Sequence, residues 1–224
     1  MVRRLRRLRG PYVRDALGIA LATGIYGVSF GVLSVSAGLS VAQTCAMSLL
    51  VFTGASQFAV VGVLAAGGSV PTAMGNALLL AARNAAYGFV VAPVLKTSRL
   101  MRAVAAHLVI DESTAMARSQ DNDDDAKGAF WTTGLAVFVL WNLGTAAGAL
   151  AGQAFAEPAA LGLDAMFPAA FVALLAPQLR QAGAVPAAVA GAVIALALLP
   201  FAPPGIPVLT AALAVFVGLA AAKR

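Results

Sequence analysis

The residue whose position most needs explaining is Arg83. It stands 12 residues beyond Pro71 and 13 before Lys96 in an otherwise apolar run. At ~1.5 Å per residue, roughly 18–20 Å of helix flanks it on either side. A guanidinium near the middle of a bilayer costs at least about 2.5–3.5 kcal/mol, and the side chain is too short to reach bulk water from there. The apolar segments offer no Asp or Glu at comparable depth. Its counterpart is therefore an exposed backbone carbonyl, water in a cavity, a second subunit, or the carboxylate of a solute. Guanidinium takes a carboxylate in a two-bond fork, so direct substrate contact is one reading. A structural or electrostatic role is the other.

Further polar side chains accompany it. Thr72, Asn76, Arg83 and Tyr87 follow i, i+4, i+11, i+15, close to one helical face, with Asn84 one step round. Such a stripe on a membrane helix faces protein or water, where its members contact a solute or bond to neighbouring helices. Upstream, Phe52-Thr53-Gly54-Ala55-Ser56-Gln57-Phe58 interrupts an apolar run. Unwinding at Gly54, Ser56 and Gln57 frees backbone groups at depth, which is tolerable only against protein or a cavity. A half-helix N-terminus there favours an anion, and Gln57 both donates and accepts; the alternative is a simple kink. Asn142 and Thr145 lie within one turn and are candidates for the solute path. Asp111 and Glu112, beside the single histidine His107, are candidates for a gate or proton relay, or for pairing with Arg99 or Arg118.

These residues must be held by membrane helices. Of the 224 residues, 61% are hydrophobic and 11% charged, and the mean hydropathy is +0.89. Soluble domains run to about 25% charged, and a soluble core this size has no room for so much apolar surface. Seven apolar segments stand out, at about 16–37, 41–66, 70–95, 128–152, 165–179, 184–200 and 204–222. The chain therefore reads as an all-α integral membrane protein, one transmembrane domain over 1–224 with about six to seven spanning helices. The run from Ala16 to Ala37 exceeds the ~7–15 residues of a signal-peptide core, so it reads as an uncleaved first helix.

Charge sets the expected orientation. Arg3, Arg4, Arg6, Arg7, Arg9 and Arg14 make residues 1–15 a basic, cytoplasmic N-terminus. The connection 96–127 carries Lys96, Arg99, Arg102, Arg118 and Lys127, and it becomes cytoplasmic only if segment two is re-entrant or broken rather than a plain span. Residues 98–118 read as an amphipathic surface helix. The loop with Glu157 and Asp164 then lies outside, and both termini inside. Segment five, with Pro168 and Pro177, is irregular like segment two. Paired irregular segments raise the expectation of an inverted pseudo-repeat, although no residue-level repeat accompanies it. Gly27–Gly31, extended back to Gly24, and Gly144–Gly148–Gly152 have the spacing of close helix packing.

Several function classes are excluded. The net charge of +6 is concentrated ahead of the first span without interleaved stacking aromatics, which argues against nucleic acid. One Cys, Cys45, leaves no disulfide framework or thiolate metal site within one chain, and with one His and no intramembrane acid a catalytic constellation is hard to build. Asp121-Asn122-Asp123-Asp124-Asp125 lacks the Gly and terminal Glu of a calcium loop and reads as a solvated loop. No phosphate-binding loop is present, which favours a secondary mechanism over direct ATP use.

The chain resembles the AzlC family of branched-chain amino acid permeases, the large subunits of two-component exporters. The resemblance rests on Gly27-Val28-Ser29-Phe30-Gly31, the Phe52–Phe58 motif, Arg83-Asn84-Ala85-Ala86-Tyr87-Gly88 and Asp111-Glu112-Ser113. It continues through Trp141-Asn142-Leu143-Gly144-Thr145, Phe167-Pro168-Ala169-Ala170-Phe171 and Pro177-Gln178-Leu179. The family's third-segment motif reads Asn-x-Arg-His-x-x-Tyr-Gly, whereas this chain has Ala81 and Asn84 at the Asn and His positions. That counts against His-based proton coupling there. The resemblance implies export of Leu, Ile, Val or a similar amino acid across a bacterial inner membrane, without cofactor or catalysis, and with a small hydrophobic AzlD-type partner. The residues alone give a transporter for a carboxylate-bearing solute, with Gly54, Ser56, Gln57, Asn76, Arg83, Asn84, Tyr87 and Asn142 toward substrate and Asp111 and Glu112 toward gating. A channel or a membrane assembly subunit is the other reading.

Overall fold

The structure is a computed structural model that describes residues 12–154, 169, 172 and 175–223. Among these residues there are helices and no strand. In chain order the helices are α1 (Tyr12–Ser36), α2 (Val41–Leu50), α3 (Ala55–Ala65), α4 (Val70–Leu95), α5 (Arg99–His107), α6 (Asp111–Arg118), α7 (Asp123–Ala154), α8 (Ala184–Leu198), α9 (Ile206–Ala211) and α10 (Val215–Ala222). Three of them, α1, α4 and α7, are long and apolar enough to cross a membrane. Arg3 to Arg9, Glu157, Asp164, Pro168, most of segment five and Arg224 lie outside the described residues.

The chain divides into two units. The first takes Met1–Val35, Leu39–Thr53 and Ala81–Ala156; the second takes Ser36–Gly38, Gly54–Leu80 and Glu157–Arg224.

In the first unit, α1 and α7 pack through the two glycine ladders. A Cβ on Gly24 would stand 3.1 Å from the Leu140 carbonyl oxygen, and one on Gly27 2.6 Å from that of Trp141. At Gly31 it would collide with the Thr145 carbonyl, and at Gly144 and Gly148 with those of Gly24 and Val28. Lipid tails are as apolar as leucine, so membrane helices gain little by hiding apolar side chains from them. Close backbone approach with many dispersion contacts is what holds such helices together, and only glycine permits it here. Phe30 stacks on Trp141 beside this seam, with centroids 5.8 Å apart. α2 joins α7 through a buried hydrogen bond from the Ser48 hydroxyl to that of Thr145, 3.1 Å. At the other end, Tyr12, Ala16, Met116 and Ala129 form a small buried cluster.

Two expectations for the central connection are corrected. The Asp121–Asp125 run is not all loop, because Asp123, Asp124 and Asp125 form the first turn of α7. Asn122 caps that turn, its Oδ1 accepting the Asp125 N–H at 2.9 Å, and the carboxylates sit where the helix dipole favours them. Residues 98–118 are not one surface helix either. They form α5 and α6 joined by a turn in which Leu108, Val109 and Ile110 are buried. Three consecutive apolar residues cannot share one amphipathic face, so the helix breaks and the turn moves inward. Ser113 Oγ secures the turn by donating to the Leu108 carbonyl (2.6 Å) and accepting the Ile110 N–H (3.1 Å). A Cβ on Gly134 would lie 3.1 Å from that of Leu108. Gly134 is 11 residues into α7, so the turn lies about 16 Å along that helix.

The described part of the second unit contains α3, the first half of α4 and the hairpin of α8 with α9–α10. A Cβ on Gly183 (φ +77°) would collide with the Gly218 carbonyl, and Gly191 faces Ala211 and Ala214. This hairpin therefore also closes on small residues.

Segment two is broken, as its composition predicts. α2 ends at Leu50, α3 starts at Ala55, and Gly54 adopts φ +61°. Nothing stands within 4 Å of a Cβ there, so glycine is required by the backbone conformation rather than by space.

Candidate functional site

Arg83 lies 12 residues before the end of α4, in the stretch belonging to the first unit. Its Nη2 meets Oδ2 of Asp111 at 2.9 Å. Asp111 opens α6, directly after the buried Leu108-Val109-Ile110 turn. The inward turn thus carries a carboxylate to the depth of Arg83. The expectation of an arginine with no acid at its depth is corrected, because the acid arrives on a short helix rather than on a span. Asp111 pairs with Arg83 and not with Arg99 or Arg118.

The pair is a single-point contact. Arg83 Nε and Asp111 Oδ1 are buried and without hydrogen-bond partners, so the two-bond fork is half used. Both side chains keep about a third of their surface open, 33% for Arg83 and 39% for Asp111. Tyr87, one turn beyond Arg83, places its hydroxyl beside the Asp111 carboxylate. Glu112 completes the cluster. Burial raises its carboxyl above the ordinary glutamate range, and the negative charge of Asp111 pushes the same way while Arg83 opposes it. The cluster therefore holds one fixed cation, one carboxylate paired to it and one carboxyl biased toward its protonated form. Asn84 is half-buried one step round α4.

Two further features belong to the same unit. Phe52, just before the helix break, packs edge-on to Phe138 of α7 with centroids 5.1 Å apart. His107 contacts both rings, at 5.9 and 5.6 Å. One turn beyond Phe138, Asn142 donates from Nδ2 to the Phe138 carbonyl at 2.8 Å, and its Oδ1 is buried without a partner. The His107 cluster was not foreseen. Its signal was the placement of the one histidine immediately before Leu108-Val109-Ile110, the turn that carries it inward.

The remaining candidates lie in the second unit. Gln57, fully buried, accepts the Gly54 N–H on Oε1 at 3.1 Å and so braces the start of α3. The Ser56 hydroxyl in that first turn is buried with no partner. Asn76 is buried, and its Nδ2 donates to the carbonyls of Thr72 (2.9 Å) and Gly205 (3.1 Å). The first bond stays within α4 and the second ties α4 to the loop before α9, which leaves Oδ1 as its open group. The structure brings together Arg83, Tyr87, Asp111 and Glu112. It places Asn142 in the same unit and Gly54, Ser56, Gln57 and Asn76 in the other.

Comparison with known proteins adds to this geometry. The family described as AzlC protein matches residues 18–155. The inner membrane protein YgaZ of Escherichia coli K12 is 29% identical over 201 residues, covering 83% of this chain and 80% of that protein. An uncharacterized membrane protein of Helicobacter pylori is 26% identical over 167 residues, covering 74% of this chain and 73% of that one. No solved structure matches the chain.

Proposed function

The chain belongs to the AzlC family, and we propose that it exports branched-chain amino acids across a bacterial inner membrane by a secondary mechanism, together with a small hydrophobic AzlD-type subunit. The observation that carries this reading is the single-point Arg83–Asp111 pair halfway along an apolar helix. A guanidinium held by one bond, with Nε unused, is poised to exchange its carboxylate. An amino acid carboxylate that takes the two-bond fork displaces Asp111 and gains a hydrogen bond in doing so. On the substrate's departure Asp111 reoccupies Arg83, which keeps the cation from being stranded at depth in either state.

Glu112 supplies a place for a proton. When Arg83 leaves Asp111, two adjacent carboxyl groups remain, and like charges so close favour sharing a proton. Its burial-raised carboxyl makes Glu112 the proton carrier of the two. The aromatic set Phe52, His107 and Phe138 offers an apolar surface suited to an aliphatic side chain. Gly54, Ser56, Gln57, Asn76, Asn84 and Asn142 remain candidates for the polar lining of the path.

A second reading is transport of a different small carboxylate-bearing solute. Ala81 and Asn84 favour it, because they change the chemistry on either side of Arg83. The deciding experiment is counterflow of labelled leucine in proteoliposomes, with and without the small subunit. Exchange that is saturable, that leucine, isoleucine and valine each compete for, and that Arg83→Ala cuts by about 30-fold or more is the expected result. Flux of other carboxylates without competition by leucine selects the second reading. A flux that does not saturate marks a channel and overturns both.

A further inference from the structure

α4 and α5 are joined by residues 96–98 and together line a cavity of ≈ 520 Å³. Its walls are apolar, with Ala92 from α4 and Ala106 from α5. The lining runs back to Gly88 on α4, about 10 Å of helix from Leu95, and to Val109 beyond α5. Two charged residues line it, Lys96 at the connection and Arg102 one turn into α5. Neither has a carboxylate within ion-pair distance among the described residues, and no acid lines the cavity. On α5, Leu100 and Val104, one turn apart, are also exposed.

We propose that this cavity binds an anionic phospholipid of the surrounding bilayer, with one acyl chain between α4 and α5 and the phosphate on Lys96 and Arg102. The apolar walls match the chain, and the unpaired cations at the helix connection match the head group. Basic pockets between membrane helices recognise anionic head groups on this principle. The far end of the cavity is formed by Gly88 and Val109, which adjoin Tyr87 and the turn that delivers Asp111. An acyl chain there braces the segment that holds the Arg83–Asp111 pair.

The test is native mass spectrometry of the purified full chain, titrated with phosphatidylglycerol, phosphatidylcholine or inorganic phosphate. Each basic contact with an anionic lipid is worth on the order of fivefold, so phosphatidylglycerol should bind about 25-fold more tightly than phosphatidylcholine. Lys96→Gln/Arg102→Gln should bring the two lipids level. Ala106→Phe, which fills the cavity and keeps both cations, should weaken both lipids. Arg118→Gln should leave the preference intact. The proposal is overturned by equal binding of the two lipids to the unmodified chain, or by a preference that survives the double substitution. Displacement of phosphatidylglycerol by comparable inorganic phosphate also overturns it, as does a second protein chain that excludes both lipids. If Ala106→Phe does not fold, the double substitution at surface positions still decides the outcome.

Discussion

A guanidinium halfway along a membrane helix needs an acid, and here the acid comes from a different element. The contact is one bond at 2.9 Å with Nε and Oδ1 unused, so its two members have separable roles. Arg83→Ala removes the carboxylate receptor and leaves Asp111 unpaired; transport should fall by about 30-fold or more, as when one partner of a hydrogen-bonded charge pair is cut away. Asp111→Asn keeps the receptor and removes its competitor. That variant should bind substrate several-fold more tightly and turn over more slowly, which equilibrium binding and counterflow resolve separately. Equal losses in both variants would mean that the pair is only structural. Glu112 gives a pH signature. Its carboxyl is raised by burial, so its contribution to stability is complete below the ordinary glutamate range, about pH 4.3, and is lost as pH rises through the raised value. Thermal unfolding in detergent should therefore show a loss of stability on going from acid toward neutral pH that Glu112→Gln flattens. An unchanged slope in the variant would refute the assignment.

At the scale of elements, the seam between α1 and α7 sets how closely those two helices pack. It is built from backbone approach at Gly27, Gly31, Gly144 and Gly148, where an added Cβ meets a carbonyl of the facing helix. No rotamer relieves such a clash, so the helices must separate, and overpacking of this kind costs about 1–3 kcal/mol or more. Gly31→Leu should lower the unfolding temperature sharply and also weaken the Ser48–Thr145 bond, since Thr145 lies in the same turn as the contact. Gly18→Ala, on the same helix but with open space around it, should be neutral or slightly stabilising and serves as the control. The helix break behaves differently. Gly54 has room for a side chain but a left-handed φ, so Gly54→Ala should cost about 1–2 kcal/mol from backbone strain alone. It should also shift transport, because Gln57 is braced on the Gly54 N–H. Full activity in Gly54→Ala would show that the break has no part in the path.

For the whole molecule, legibility in the sequence followed the range of the interactions. Apolar runs and glycine spacing are local signals, and α1, α4, the break at Gly54 and both glycine ladders stand where composition places them. The Arg83–Asp111 pair was not legible, because it depends on the Leu108-Val109-Ile110 turn moving inward beside Gly134, a tertiary event. Lys96, Arg99, Arg102 and Arg118 flank that turn and are not embedded within a long apolar helix, and the N-terminal arginines carry the same sign. We propose that both groups lie in the cytoplasm, which satisfies the charge rule at each end of α1 to α6. On that proposal α7 leaves from the same side, with Asp123–Asp125 in its first turn. With Cys45→Ser as background, Gln120→Cys in the α6–α7 connection should react with a membrane-impermeant thiol reagent in inside-out vesicles and not in intact spheroplasts. Labelling of spheroplasts would place the connection outside. That would overturn the cytoplasmic placement of the connection and the reading of segment two as not a plain span.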